Sequence, residues 1–338
     1  MNKYKLFCHT DLDGVGCVIL AYLAFGRENV DVEYCDYSNV DEKVGEFFSW
    51  HDIDAYDMIF ITDISINDQL AASINTLGTN RWRLFDHHST ALWMNKYDWC
   101  EVKVNLSCNI EYSNKDGQVC TKEYIQKTSG TELFYNFLIY NNYISTEKTE
   151  ISVIKNILRF VNIVRDYDTW RWKEELSEEE GIICKQVNDL FYIYGRDKFI
   201  DTIITRIRYL NMPGFTDVDI ALLANKQKDI DIYVAEKDKQ LTALVDGFGR
   251  IYGVVFAERY FSELGNRLCE LHPKLRYVMM IDISNGKVSY RSSRDDIDLG
   301  ELAHSFGGGG HKKAAGSTFD ELGAMLQVVN WLNGGING

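Results

Sequence analysis

Hydrophobic and polar positions change period repeatedly along the first ninety residues, and each change marks an element. Lys5-Leu6-Phe7-Cys8-His9 is a short apolar run that predicts a strand, followed by a turn at Asp11-Leu12-Asp13-Gly14. Val15 to Phe25 carries apolar residues at helical spacing and closes near Gly26. Asp31 to Tyr37 reads as a strand, Val40 to Trp50 as a helix, Asp57 to Asp63 as a strand, Asn67 to Leu77 as a helix and Arg81 to Asp86 as a strand. Strands alternating with helices at this spacing predict a parallel sheet covered on both faces. Sites in such sheets form beyond the carboxyl ends of the strands. His9, Asp63 and Asp86 each stand at such an end.

The pattern weakens from Trp93 to Lys122, where Glu101 to Val104 suits a short strand and Glu111 to Gly117 a polar loop. This stretch fits a substrate-specific insertion or an oligomer contact. Thr131 to Tyr140 is expected to be helical, with Thr128 or Ser129 at its start, and Ile151 to Val164 is an amphipathic helix leading into Arg165-Asp166-Tyr167-Asp168-Thr169-Trp170. Gly181 to Tyr209 reads as helix in pieces. Pro213-Gly214 is the clearest punctuation, and Asp217 to Val245 then reads as one long charged helix. Beyond it come a strand (Gly249 to Ala257), a helix (Ser262 to Leu271) and a strand pair (Tyr277 to Ile283, Lys287 to Ser292) joined by Ser284-Asn285-Gly286. A helix from Leu299 to Phe306 runs into Gly307-Gly308-Gly309-Gly310-His311-Lys312-Lys313-Ala314-Ala315-Gly316, and residues 333–338 are expected to fray. The division expected is a first α/β domain (1–213), a helical linker (214–245) and a smaller α/β domain (246–338).

The composition, 46% hydrophobic and 25% charged over 338 residues, is that of a globular chain. The absence of any run of about 18 apolar residues predicts no membrane span, and the start of the chain shows no secretory signal pattern. Eight dispersed cysteines without a Cys-x-x-Cys pair point to a reduced, cytoplasmic protein with no structural zinc. A net charge of −14 argues against binding long duplex nucleic acid, which takes a basic surface. It is compatible with a nucleotide substrate where metal ions offset the acids locally.

Four groups of residues carry candidate chemistry. His9-x-Asp11-x-Asp13-Gly14 alternates three metal-type ligands along an extended segment, with Asp13 as a helix N-cap the plainer alternative. Asp63 ends an apolar strand. In Asp86-His87-His88 the two imidazoles are expected on opposite faces, one toward a metal and one toward a substrate. Asp166 and Asp168 follow an apolar helix, in a loop. Together these supply enough ligands for two metal ions with a shared carboxylate. Two such ions roughly 3.5–4 Å apart can clamp both sides of a phosphoryl displacement and supply a metal-bound hydroxide. A fifth group, Gly307 to Gly316, offers backbone N–H groups to an anion, helped by a following helix start. A flexible loop is the alternative there. Arg291 is a second anion-binding candidate through its planar fork, and Arg294 a weaker one, more in keeping with a solvated charge.

The order of these motifs resembles the DHH phosphoesterase superfamily with its DHH-associated C-terminal domain. The matching residues are His9-Thr10-Asp11-Leu12-Asp13-Gly14, Asp63, Asp86-His87-His88, Asp168 and Gly308 to Gly316. The resemblance implies a catalytic domain over 1–213, an active site in the cleft between it and the smaller domain, and two divalent ions there, manganese in the first place and magnesium or cobalt in the second. His9 and Asp11 would hold one ion, Asp13, His87 and Asp168 the other, and Asp63 would bridge, with Asp166 the alternative to Asp168. Asp86 and His88 would be catalytic, His88 facing the phosphate. Arg291, Gly308, Gly309, Gly310 and His311 would grip the substrate's end. The implied activity is hydrolysis of short single-stranded RNA or DNA, or linear dinucleotides, to mononucleotides. The rivals are a phosphodiesterase or phosphatase of a small nucleotide (cyclic, or 3′-phosphoadenosine 5′-phosphate) and a silent nucleotide-binding sensor. A homodimer is compatible with the sequence, which does not decide it.

Overall fold

The structure, a computed structural model, describes residues 3–50, 53–76, 80–113, 119–245 and 249–319. The chain divides into two compact units, Met1–Ile220 and Ala221–Gly338.

The first unit opens with β1 (Tyr4–His9), α1 (Leu12–Phe25), β2 (Val30–Cys35), α2 (Val40–Trp50), β3 (Met58–Thr62), α3 (Asp68–Thr76), β4 (Trp82–Asp86) and β5 (Cys100–Val102). Its five strands lie in the order β2-β1-β3-β4-β5, all parallel. The strands are apolar on both faces because both faces are covered. Ile59, Ile61 and Leu84 pack with Val44, Phe47 and Ile74 on one side. Phe60 and Phe85 point to the other, where their rings meet Phe134, 5.1 and 5.7 Å away between centroids. α1 begins earlier than its apolar periodicity suggests, because Asp11, not Asp13, is its N-cap, accepting from the Gly14 N–H at 3.0 Å.

In the weakly patterned stretch the short strand expected near Glu101 is present as β5, and of the expected polar loop Glu111 to Ser113 is strand instead. β6 (Asn105–Ser113) and β7 (Val119–Lys127) form an antiparallel two-stranded ribbon, and residues 114–118 lie outside the described ones. Helices follow: α4 (Gly130–Tyr140), α5 (Ile151–Asp168), α6 (Arg171–Glu174), α7 (Glu178–Tyr194), α8 (Arg196–Tyr209) and α9 (Asp217–Gln240), whose first turn belongs to this unit. Ser129 caps α4 through the Glu132 N–H. α5 continues through Asp166 and Asp168, so both acids sit on its last turn rather than in a loop.

Arg206 of α8 and Asp219 of α9, both buried, meet at 2.6 Å. Burial pushes the Asp219 carboxyl up, but Thr216, Tyr194 and Arg206 outweigh it and hold it at about 2. A depressed folded value gives stability that is present above the ordinary carboxylate range and lost as pH falls through about 2. Arg206→Leu leaves Asp219 with its Tyr194 and Thr216 donors. The expected loss is therefore about 2–3 kcal/mol, short of the roughly 3–5 of an uncompensated buried charge. Urea unfolding at pH 7 checks it.

In the second unit β8 (Thr242–Val245), β9 (Ile251–Phe256), α10 (Phe261–Leu271), β10 (Val278–Asp282), β11 (Lys287–Arg291), α11 (Leu299–His304), β12 (Gly309–His311) and β13 (Ala314–Thr318) build one sheet in the order β12-β13-β11-β10-β9-β8. Ile230 and Val234 of α9 share its core with Val255, Leu264, Leu268 and Met280. Two expectations change here. The long helix stops at Gln240 and Thr242–Val245 turns into an edge strand against β9. The glycine-rich segment is a hairpin rather than a loop, with Gly309, Gly310 and His311 paired to Gly316, Ala315 and Ala314; the strand runs on to Thr318, and any helix start after residue 319 lies outside the described residues. Residues 333–338 lie outside the described ones. Among the described residues no helix is long and apolar enough to cross a membrane.

Candidate active site

The carboxyl ends of β1, β3 and β4 deliver His9, Asp63 and the Asp86-His87-His88 run to one edge of the parallel sheet. Three overlapping groups of ligand-type atoms form there: His9, Asp11 and Asp63; Asp63, His87 and His88; and Asp13, His87 and Asp168. Asp63 belongs to the first two. Its Oδ2 lies 3.7 Å from His9 Nδ1, and its Oδ1 lies 3.3 Å from His87 Nε2. His9 Nδ1 is 2.9 Å from Asp11 Oδ2, and His87 Nε2 is 3.4 Å from Asp168 Oδ2 and 3.7 Å from Asp13 Oδ2. Neighbouring ligands of one small divalent ion sit about 3 Å apart, so these spacings suit a cation.

The polarity of the cluster points the same way. His9 Nδ1, Asp63 Oδ2 and His87 Nε2 are buried with no hydrogen-bond partner among the described residues. Burial, then the carboxylates of Asp13, Asp11 and Asp168, pushes the Asp63 carboxyl well above its ordinary range. Burial with Asp13 and Asp11 does the same to Asp168, which also sits at the helix end that disfavours negative charge. At Asp11 burial is outweighed by His9 and the Gly14 N–H, which hold the carboxyl at about 2. Burial keeps the His87 imidazole toward the neutral form that a metal ligand needs. Converging acids beside unpaired imidazole nitrogens fit divalent ions through oxygen and nitrogen ligands.

Two devices fix these acids. The N-terminus of α4 holds Asp13: the Gly130 N–H donates to Oδ2 at 2.6 Å and the Thr131 N–H to Oδ1 at 2.9 Å. Asp63 is held in a left-handed conformation (φ 59°), with its N–H donated to the Phe85 carbonyl at 2.8 Å. Such a backbone is uncommon outside glycine and persists where the surroundings enforce it.

The two histidines are not on opposite faces. β4 ends at Asp86, the chain turns, and the rings of His87 and His88 lie 4.3 Å apart between centroids. They differ in partners instead. His88 Nδ1 meets Asp86 Oδ1 at 2.7 Å and Nε2 meets the Tyr37 hydroxyl at 3.2 Å. Burial pushes the Asp86 carboxyl up, but His88 and Ser65 outweigh it and keep it low. It also accepts the N–H groups of His87 and His88 and the Ser65 hydroxyl. Asp86 is therefore an ionised acceptor of a hydrogen bond from the Nδ1–H of His88. Tyr37 is the site residue that the sequence did not flag: its ring also lies 5.3 Å from that of His9. It stands two residues past the end of β2, where the strand-end rule would have found it. Asp166 is engaged elsewhere, accepting from Arg165 Nε at 3.0 Å and Arg171 Nη1 at 2.6 Å.

In the second unit, the Arg291 guanidinium donates to the Tyr290 carbonyl (2.9 Å) and the Ser262 hydroxyl (3.1 Å), while its Nε is buried without a partner among the described residues. Burial lowers its affinity for the proton, against Cys269 and Glu263. Gly308 is not free for an anion, because its N–H is donated to the Ala303 carbonyl at 2.8 Å. Gly308 and Gly310 are close-packed on β13, where a side chain's Cβ would fall 2.1 Å from the Gly316 carbonyl oxygen and 2.5 Å from the Ala315 Cα, whereas Gly309 faces open space. The side chain of His311 lies outside what the structure describes. Arg294 pairs with Asp296 at the surface.

Residues 261–333 match the DHHA1 domain. Oligoribonuclease NrnB of Bacillus subtilis (strain 168) is 34% identical over 325 residues, which cover 94% of this chain and 74% of that protein. Among solved structures, the DHH domain of a member of a family of ribosomal proteins superposes with a TM-score of 0.61 at 13% identity, over 97% of this chain and 85% of that one. Exonuclease RecJ bound to manganese superposes at 0.54 with 14% identity, over 95% and 86%. The chain belongs to the DHH phosphoesterases that carry a C-terminal DHHA1 domain.

Proposed function

We propose that this chain hydrolyses short single-stranded oligonucleotides, linear dinucleotides included, to mononucleotides, using two divalent ions of which manganese is the first choice. One observation carries the reading. A single buried carboxylate, Asp63, is shared between two adjoining His/Asp groups in a chain 34% identical to an oligoribonuclease. On this reading His9 and Asp11 would hold one ion, Asp13, His87 and Asp168 the other, and Asp63 would serve both. When bound, such ions supply Lewis-acid charge and lower the pKa of water.

The chain's own side chains do the rest. Asp86 accepts a hydrogen bond from the Nδ1–H of His88, fixes its ring and, against burial, favours a second proton on it, so that Nε2 beside the Tyr37 hydroxyl carries an N–H. That Nε2–H donates a hydrogen bond to a phosphate oxygen as charge builds on it. Asp86 acts through His88, as a positioning residue. Arg291, half-buried and without a carboxylate partner among the described residues, supplies a planar fork for a terminal phosphate, and Gly309 an unobstructed backbone. Cys8, Cys17, Cys35, Cys100, Cys184 and Cys269 are free thiols, all but Cys100 buried, which suits the reducing cytoplasm.

The test is product release from 5′-labelled RNA of two, three, five and twenty-four nucleotides with manganese, beside a His87→Ala control. Mononucleotides from the short substrates, lost in the control, are expected. Inactivity on all four, with turnover of a cyclic or bisphosphorylated nucleotide, overturns the substrate assignment. Metal binding with no turnover of any of these overturns the enzyme reading.

A further inference from the structure

Trp170 immediately follows the capping residue of α5. The position after a helix C-cap commonly takes the left-handed conformation and is usually filled by glycine. Here it does take that conformation, at φ 64°, but it is a tryptophan, among the costliest residues to place there. The chain nonetheless leaves the residue 40% exposed. A core role does not account for a strained and exposed indole.

Its surroundings are those of a stacking surface. The Trp170 ring stacks on Trp172 (6.0 Å between centroids, 27° between planes), and Trp172 stacks on Tyr167 (5.8 Å, 16°). The Tyr167 hydroxyl accepts from Asn188 Nδ2 at 2.8 Å, which anchors the far end of the ladder. The ladder is rooted beside the acid cluster: Trp170 lies two residues from Asp168, so their Cα atoms are at most about 7.6 Å apart. A cation stands next to it, because Lys127, at the end of β7, donates to the Thr169 carbonyl at 3.4 Å.

We propose that Trp170 is a nucleobase platform: the base of a nucleotide whose phosphate lies at the Asp168 cluster stacks on its exposed face, and Lys127 faces that nucleotide's backbone. Stacking is indifferent to base identity, since every base has a π-face, so the subsite recognises a nucleotide without reading its sequence. The strain at Trp170 is the cost of aiming an indole where glycine would fold more easily. This assignment rests on the oligonucleotide reading above.

The test compares Trp170→Gly and Trp170→Phe in the full chain with manganese, on a diribonucleotide and on the same substrate lacking one base. Glycine relieves the backbone strain, so loss of folding does not confuse the result, and melting temperature verifies this. The expected result for Trp170→Gly is a KM for the diribonucleotide raised roughly 5- to 100-fold, a kcat changed far less, and loss of the wild-type preference for the substrate with both bases. Trp170→Phe, which keeps a ring, should recover most of the affinity. An unchanged KM in Trp170→Gly overturns the platform alone, as does an equal loss on both substrates. Failure of the wild type to turn over the diribonucleotide at all overturns the platform together with the reading beneath it.

Discussion

Asp63→Asn is expected to lower turnover by about 10³-fold or more while making the metal-free protein more resistant to heat. The two effects have one origin. Asp63 shares its two oxygens between the His9 and His87 groups, at 3.7 and 3.3 Å. Asparagine tolerates the same left-handed backbone, so the shape is kept. What goes is the negative charge common to both ion sites, and with it the electrostatic stabilisation of a developing transition state, to which single donors alone contribute about 10²–10³-fold. In the absence of metal that same charge is a burden, buried against Asp11, Asp13 and Asp168. Removing it relieves the like-charge repulsion and the desolvation. Melting in chelator and turnover in manganese check both halves. A variant that loses activity and also melts lower without metal contradicts this origin.

Gly130→Ala is expected to cost about 10²–10³-fold in turnover and about 1–3 kcal/mol in stability. Position 130 lies far from the ligands in sequence, but an added Cβ there would fall 2.7 Å from the Asp63 Cβ and 2.9 Å from its Cα. That contact is mostly with backbone, so no rotamer relieves it. The first turn of α4 must draw back, or Asp63 must leave its conformation. In the first case the Gly130 and Thr131 N–H groups release Asp13, and in the second the shared carboxylate moves. A misplacement of about 1 Å is enough for losses of about 10²-fold. Turnover and urea unfolding of the variant, with Ser129→Gly as a control that weakens only the cap, measure it. Wild-type turnover in Gly130→Ala contradicts the role of this contact.

Half of the candidate ligand set, His9, Asp63 and His87, is legible because each follows or ends an apolar strand. His9 and Asp63 stand just where β1 and β3 stop, and parallel sheets put their sites there. The alternation His9-Asp11-Asp13 is informative for a different reason than an extended segment supplies. Asp11 caps α1, and Asp13 is already inside the helix, reaching α4. The pairing of Asp13 with Gly130, and of Asp63 with the same glycine, is long-range packing that local pattern does not encode. His87 and His88 share a side because the strand ends one residue before them, and a period of two holds only within a strand.

Other misses left a trace. In β6, Leu106, Cys108, Ile110 and Tyr112 alternate with Asn105, Ser107, Asn109 and Glu111, a clean strand signal in a stretch that reads as polar overall. The glycines of β12 hide a strand because they lack side chains to show a period. Their reason lies in β13, against which they are paired, Gly310 with a Cβ position that Ala315 already fills.

The most direct measurement is anomalous diffraction at the manganese edge from crystals grown with manganese. Two peaks roughly 3.5–4 Å apart are expected, one beside His9 and Asp11, the other beside Asp13, His87 and Asp168, with the Asp63 carboxylate reaching both. A single peak, or two peaks that Asp63 does not bridge, would contradict the shared-carboxylate site.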